Sequence, residues 1–162
     1  RAAWGFQVIA TQNPVEYIAT GHLSEALRDR FEHVRLDYQS APEEVRITAA
    51  ETGCQDELLL WRAVSVVRAT RVHPRFKKGA SVRAAIAMVA IAQRLVATGE
   101  EMNAALSTAA RAALTTRTEA KDELGADVNV AIEEILATVL HSDLAQLQAG
   151  YGEPVAANAP KV

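Results

Sequence analysis

The chain has little of three things that mark particular protein classes: cysteine, aromatic side chains and long hydrophobic runs. Cys54 is the one cysteine among 162 residues, which excludes an internal disulfide and a cage of thiolates around a metal. The longest nearly uninterrupted apolar stretch, 84–92, falls far short of the ~20 residues that a membrane helix needs. We therefore expect a cytoplasmic protein with no membrane partner.

The chain also lacks an excess of basic residues, with 17 Lys and Arg against 20 Asp and Glu. The formal net charge is -3, whereas domains that grip nucleic acid usually carry a basic excess, so we expect no nucleic-acid partner. The histidines show no metal-ligand spacing with one another or with Cys54, and we expect no metal site. The phosphate-binding pattern G-x-x-x-x-G-K-[ST] and an apolar strand ending in Asp-Glu are both missing from the sequence. The chain by itself therefore lacks the usual means of cradling a nucleotide.

The first forty residues differ in pattern from the rest. The apolar run 6–11 predicts a buried parallel strand, the alternation over 34–38 predicts a second strand, and 24–30 predicts a short helix. Two isolated strands do not make a stable sheet. Since the chain also starts without Met, we expect 1–40 to be the C-terminal remnant of a larger α/β core.

From Ala41 onward the apolar residues recur with a helical period, and abundant alanine favours a helical core. Five helices are predicted, and the residues that mark helix starts are Pro42, Asp56, Ser81 and Asp127. Periodicity ends near Gly150. The predicted fold is therefore mainly α: a helical bundle over 41–150, preceded by a two-strand remnant of a parallel α/β core and followed by a flexible tail over 151–162.

Two side chains in the first forty residues are candidates for chemistry. Asn13 follows the carboxyl end of a predicted strand, where open α/β sheets place ligand-contacting groups, although Asn before Pro is also common in turns. Arg30 ends the short helix and can present its planar guanidinium to a phosphate. A cation there also suits the helix dipole. For each segment taken alone, the purely structural interpretation is favoured.

A third candidate lies at the predicted start of the helix capped by Ser81. Lys77, Lys78 and Arg83 surround this helix N-terminus, where each cation is disfavoured by about 0.3–1 kcal/mol. A bound anion would explain the arrangement, because helix N-termini bind phosphate readily. A solvated basic turn, screened by salt, explains it equally well.

These three places follow the order and spacing of one known family. Residues 8–17, V-I-A-T-Q-N-P-V-E-Y, resemble the sensor 1 strand of MoxR-family AAA+ ATPases, and 23–31 resemble the family's L-P-E-A-x-x-D-R-F segment. His73-Pro74, followed by G-A-S-V-R-A at 79–84, resembles the H-P…G-A-S-P-R-A of the family's helical lid, which carries sensor 2. The resemblance covers about residues 6–98, and serine at 24 and valine at 82 replace the family's usual prolines.

The resemblance implies a role for each candidate. Asn13 would be the catalytic sensor that helps to place the attacking water opposite the γ-phosphate. Arg30 would be the arginine finger offered across a subunit interface, with Arg28 as the alternative. Arg83 would be the sensor 2 arginine that links nucleotide state to lid position, with Ser81 beside it in the nucleotide-binding group. ATP and Mg²⁺ are the implied cofactors, bound mainly by a missing N-terminal part.

For the whole protein, the resemblance implies an ATPase that works as a ring, usually a hexamer, in which 41–150 is the lid. Such a ring would remodel or activate a partner protein, often one of the von Willebrand A type. Without the Walker motifs, this chain alone is expected to be inactive. The alternative is a non-enzymatic helical protein-docking module, in which Arg83 and its lysines contact an acidic partner. A DNA motor of the related helicase clade is disfavoured by the acidic balance.

Overall fold

The computed structural model describes residues 4–11, 26, 29–121 and 127–151. The chain divides into two compact units, Arg1–Asp37 and Tyr38–Val162. Most of the short helix predicted over 24–30, and the predicted flexible tail from 152 onward, lie outside the described residues.

The described residues of the second unit form six helices and two short strands. The helices are α1 (Ala41–Thr52), α2 (Glu57–Val72), α3 (Val82–Ala97), α4 (Met102–Leu114), α5 (Val128–Val139) and α6 (Leu144–Ala149). The strands are β1 (Phe76–Lys78) and β2 (Glu119–Ala120). None of the helices in the described part of the chain is long and apolar enough to cross a membrane.

Helix boundaries in the second unit are fixed by local hydrogen bonds that the sequence predicted. The Asp56 carboxylate accepts a hydrogen bond from the Leu59 N–H at 3.0 Å, and Asp127 accepts one from the Asn129 N–H at 2.8 Å. Each side chain satisfies a backbone donor that the first helical turn leaves without a partner. Gly53 ends α1 with φ at 67°, a left-handed conformation that costs glycine little.

Helix α2 lies at the centre of the bundle and contacts each of the other five helices. Its buried residues therefore extend well beyond the one stripe at helical spacing, Leu60, Val64 and Val67, that the sequence predicts. Helices α3 and α4 form another extensive contact, and the alanines at that contact let the two backbones approach closely. The alanines that are fully buried in these two helices are Ala84, Ala85, Ala92, Ala105, Ala109, Ala110 and Ala113. The prediction of a mainly helical fold is confirmed.

The small sheet lies in a different place from the predicted one. Strands β1 and β2 pair antiparallel inside the second unit, with Phe76 opposite Ala120 and Lys78 opposite Glu119. This pairing was not predicted, because the two strands have only three and two residues, too few for a periodic signal.

Segments 6–11 and 34–38, predicted as strands of a parallel sheet, have no strand structure. Their large apolar side chains are exposed: Phe6 at 66%, Ile9 at 92% and Leu36 at 86%. A strand forms only when a neighbour satisfies its N–H and C=O groups, and the described residues supply no such neighbour for either segment. An apolar pattern alone therefore does not establish a strand. The prediction of strands over 6–11 and 34–38 was wrong for the chain by itself.

Acid should weaken the fold in part through Glu101, which caps α4. The backbone N–H groups of Asn103 and then Ala104 hold its pKa below the usual 4.5, and the bond to the Ala104 N–H is 3.0 Å long. The unfolded state therefore binds the proton more readily than the folded state does. The ionised Glu101 carboxylate stabilises the fold fully above pH 4.5, and this contribution is lost as the pH falls through the lowered pKa of the folded state. In urea unfolding at neutral pH and at about pH 3, E101Q should lose less stability than wild type. E51Q, which removes one exposed charge near the end of α1, is the control, and equal losses in E101Q and wild type would contradict the assignment.

Candidate functional site

The turn that leads into α3 is held firmly against α2. The Ala80 N–H donates to Thr70 Oγ1 at 2.9 Å, and Arg71 Nε donates to the Ala80 carbonyl oxygen at 2.8 Å. Ala80 is only 1% exposed. With its backbone bonded on both sides, the turn fixes the position of the first residues of α3.

Glycine is required at position 79 because the turn approaches the α2 backbone closely. A Cβ atom placed on Gly79 would lie 2.6 Å from Arg71 Cα and 2.7 Å from Arg71 N, distances at which backbone must move. The sequence motif marked this glycine, and the structure supplies the reason for it.

Substituting Gly79 by alanine should therefore destabilise the chain by about 1–3 kcal/mol, as overpacking against backbone does. Urea unfolding would measure the loss. G150A is the matched control, since a Cβ at Gly150 meets its nearest atom at an ordinary 3.4 Å. A loss in G79A no larger than that in G150A would show that the turn does not depend on the close approach.

The N-terminus of α3 presents polar groups to solvent. Ser81 is the exposed N-cap residue, and its side chain makes no capping hydrogen bond within the described residues. Arg83, the second residue of the helix, is also exposed. The first turn of α3, which the structure describes completely, contains no acidic side chain. A helix N-terminus with unpaired N–H groups, a hydroxyl and a guanidinium has the chemistry of a phosphate site.

The two lysines before this turn both lie on β1. Lys77 lies on β1, and its Nζ bonds Glu119 Oε1 at 2.9 Å across the sheet. That bond is the main reason why the pKa of Glu119 is lowered. Lys77, Lys78 and Arg83 are all exposed, and the Lys77 charge is paired with Glu119 on β2. The predicted group of three cations around this helix N-terminus stays a prediction.

The other predicted residues are placed less fully. Arg30 is exposed, and its Nη1 donates to the Ala26 carbonyl oxygen at 2.7 Å. This bond satisfies a backbone acceptor four residues earlier, as basic side chains do near the end of a helix. Asn13 and the alternative finger Arg28 lie outside the described residues. Ser81 and Arg83 thus both lie at the N-terminus of α3, and the roles of all four site residues stay predictions.

Sequence reasoning missed a buried charged cluster next to the turn, formed by Glu44, Arg68 and Arg71. Glu44 is 1% exposed. Its Oε1 accepts from Arg71 Nη2 at 2.6 Å, and its Oε2 accepts from Arg68 Nη1 at 2.9 Å and Arg71 Nη1 at 3.2 Å. The Arg71 guanidinium also lies 3.8 Å from the centre of the Tyr38 ring. The cluster therefore joins the start of the second unit to α1, α2 and the turn before α3.

A partial signal for this cluster was present in the sequence. Arg68 and Arg71 are three residues apart and so share a face of α2. Glu44 lies in the first turn of α1, where an acid suits the helix dipole, and its pairing with α2 is long-range and leaves no periodic trace in the sequence.

No metal centre accompanies these groups in the part of the chain that the structure describes, where no cluster of three or more His, Cys, Asp or Glu side chains could hold an ion. An open groove of about 610 Å³ runs between α2, α5 and α6. His73, Glu134 and Tyr151 line it, whereas Ser81 and Arg83 do not. The groove is thus separate from Ser81 and Arg83 at the N-terminus of α3.

Comparison with known proteins gives two partial matches, and no family model matches the chain. The uncharacterized protein YeaC of Bacillus subtilis (strain 168) is 35% identical over an alignment covering 54% of this chain and 36% of YeaC. The gas vesicle ATPase GvpN of Ancylobacter aquaticus is 30% identical over 54% of this chain and 24% of GvpN. The chain spans about a third of the first relative's length and about a quarter of the second's. The GvpN match relates this chain to part of an ATPase.

Proposed function

We propose that this chain is the nucleotide-sensing part of a MoxR-type AAA+ ATPase. In the complete protein, a ring of subunits, most simply a hexamer, hydrolyses ATP with Mg²⁺ and uses the energy to remodel or activate a partner protein. A von Willebrand A-type partner fits the family resemblance. The partial similarity to an ATPase supports the proposal, as does the order of Asn13, Arg30 and Arg83 along the chain.

The observation that carries the proposal is the fixed turn before α3. Two hydrogen bonds between the Ala80 backbone and side chains of α2 hold 79–80 in place, where Gly79 leaves no room for a Cβ atom, while Ser81 and Arg83 are exposed. A preorganised site binds its ligand with less ordering cost than a mobile loop does. Arg83 would contact a nucleotide phosphate with its planar donors, and Ser81 with its hydroxyl.

The remaining roles belong to the first unit. Asn13 would orient the attacking water through its amide, which leaves the charge of the site unchanged. Arg30 would stabilise charge on the phosphoryl group in a neighbouring subunit, which makes the activity depend on oligomer formation. The Walker motifs that hold ATP and Mg²⁺ would lie in the complete protein, outside this chain.

Replacing Arg83 by alanine in the complete protein should weaken ATP binding about 10–100-fold, the effect of losing a charge-assisted hydrogen bond of about 1.5–3 kcal/mol. Titration calorimetry with a non-hydrolysable ATP analogue would measure the dissociation constant. R94A is the matched control, because Arg94 is an exposed arginine in the last turn of the same helix. An unchanged affinity in R83A would contradict the assignment, and a complete protein that binds no ATP would favour the protein-docking alternative.

A further inference from the structure

The Arg71 side chain is shared between the turn before α3 and the first residue of the second unit. Its Nε donates to the Ala80 carbonyl oxygen at 2.8 Å, both terminal nitrogens bond Glu44, and its guanidinium lies against the Tyr38 ring. The side chain is 10% exposed. One rigid planar group therefore contacts both the proposed sensing turn, residues 79–80, and the entry segment 38–40, by which the chain enters the helical unit.

Arg68 belongs to the same cluster but contacts the entry segment. It shares Glu44 with Arg71 and donates to the Gln39 carbonyl oxygen at 2.9 Å. The turn instead accepts a hydrogen bond from Arg71 and donates one to Thr70. Arg68 thus anchors the entry segment, and Arg71 joins the entry segment to the turn.

We propose that Arg71 is a positioning residue that transmits movement of the sensing turn to the entry segment 38–40, an inference that rests on the proposed function. When a phosphate binds at Ser81 and Arg83, the turn keeps its hydrogen bonds and shifts as a rigid unit, so that the Ala80 carbonyl displaces the guanidinium bonded to it. The guanidinium in turn displaces the Tyr38 ring. Breaking these contacts would leave a buried carboxylate short of a partner, so the cluster moves as a unit.

The geometry of arginine suits this task, and lysine cannot replace it. The planar guanidinium donates in three directions at once and stacks on an aromatic face, whereas an ammonium is a single point charge on a flexible stem. R71K keeps a positive charge beside Glu44 but cannot reach Glu44, Ala80 and Tyr38 together. It therefore separates the transmitting role from the simple neutralisation of Glu44.

Amide hydrogen exchange in the complete protein, with and without a non-hydrolysable ATP analogue, tests the proposal. In wild type, the analogue should change exchange both at 79–84 and at 38–44. In R71Q and R71K the response at 79–84 should remain while the response at 38–44 is lost. Turnover in both variants should fall about 10–100-fold, as misplacement of catalytic groups does, with the analogue's dissociation constant within about 3-fold of wild type. If R71Q does not fold, R71K alone decides the question.

R68Q is the matched control, since it removes one partner of Glu44 without touching the turn. Its response at 38–44 should persist. Loss of that response in R68Q to the same degree as in R71K would overturn the assignment to Arg71, as would a normal response at 38–44 in R71K. Failure of the proposed function is distinguishable, because wild type would then show no response at 79–84.

Discussion

Replacing Arg30 by alanine in the complete protein should abolish ATP turnover and leave nucleotide binding intact. An arginine finger contributes about 10³–10⁵ in kcat, because it stabilises charge that develops on the phosphoryl group in the transition state. Its contribution to ground-state binding is small. The expected result is a fall in kcat of that size with an ATP dissociation constant close to wild type, measured by steady-state hydrolysis and calorimetry.

Three controls separate the proposed catalytic role of Arg30 from its hydrogen bond to the Ala26 carbonyl oxygen. Because Arg30 also donates to the Ala26 carbonyl oxygen, thermal unfolding of R30A checks that the fold is retained. R28A tests the alternative finger, and R35A, an exposed arginine just beyond, tests a simple loss of charge. Normal ATP turnover in R30A, whether or not R28A loses turnover, would contradict the assignment of Arg30 as the arginine finger.

A mixing experiment tests whether the finger acts across subunits. In the proposed ring, R30A subunits would retain a nucleotide site, and subunits whose own ATP site has been disabled would retain the finger. Mixed rings should recover part of the lost turnover, since some R30A sites then face an intact neighbour. No recovery in rings that do assemble would place the finger's action within one subunit.

Removing the buried carboxylate of Glu44 should strongly destabilise the helical unit. E44A leaves Arg68 and Arg71 without their shared acidic partner, and breaking a buried ion pair from one side costs about 3–5 kcal/mol. The side chains of these two arginines are 24% and 10% exposed, so solvent compensates them only in part. Urea unfolding of the chain would measure the difference.

Glu43 provides the comparison within the same turn. Its carboxylate accepts from the Ser40 N–H at 2.9 Å and from the Ser40 hydroxyl at 2.6 Å, at the exposed start of α1. E43A therefore removes a capping interaction and leaves the buried arginines paired, and its loss should be clearly smaller. E44A and E43A losses of equal size would show that the buried cluster contributes little to stability.

The sequence predicted the helices well because their signals are local. Caps such as Asp56 and Asp127 act within three residues, and the stripe in α5 repeats through Ile132 and Leu136, which are buried. Helix α6 was not predicted, since six residues hold too few turns for a period to show. The burial of α2 on all sides also went unseen, because it depends on five neighbours that no local pattern encodes.

Only the local part of the candidate site could be predicted from the sequence. The Gly79 to Arg83 motif is local, and its resemblance to a lid motif identified the turn. The contacts that hold the turn come from Thr70 and Arg71, on another helix, and Glu44 joins them from a third. The strands predicted over 6–11 and 34–38 failed because strand formation depends on partners that an apolar run does not supply.

Amide exchange at 79–84 in the complete protein tests the central claim most directly. The first N–H groups of a helix lack intrahelical partners and exchange readily, and a phosphate bound there would protect them. A non-hydrolysable ATP analogue should therefore slow exchange at Ser81, Val82 and Arg83 in wild type, and this protection should be lost in R83A. Unchanged exchange at these residues, in a complete protein saturated with the analogue, would contradict the claim that α3 senses nucleotide.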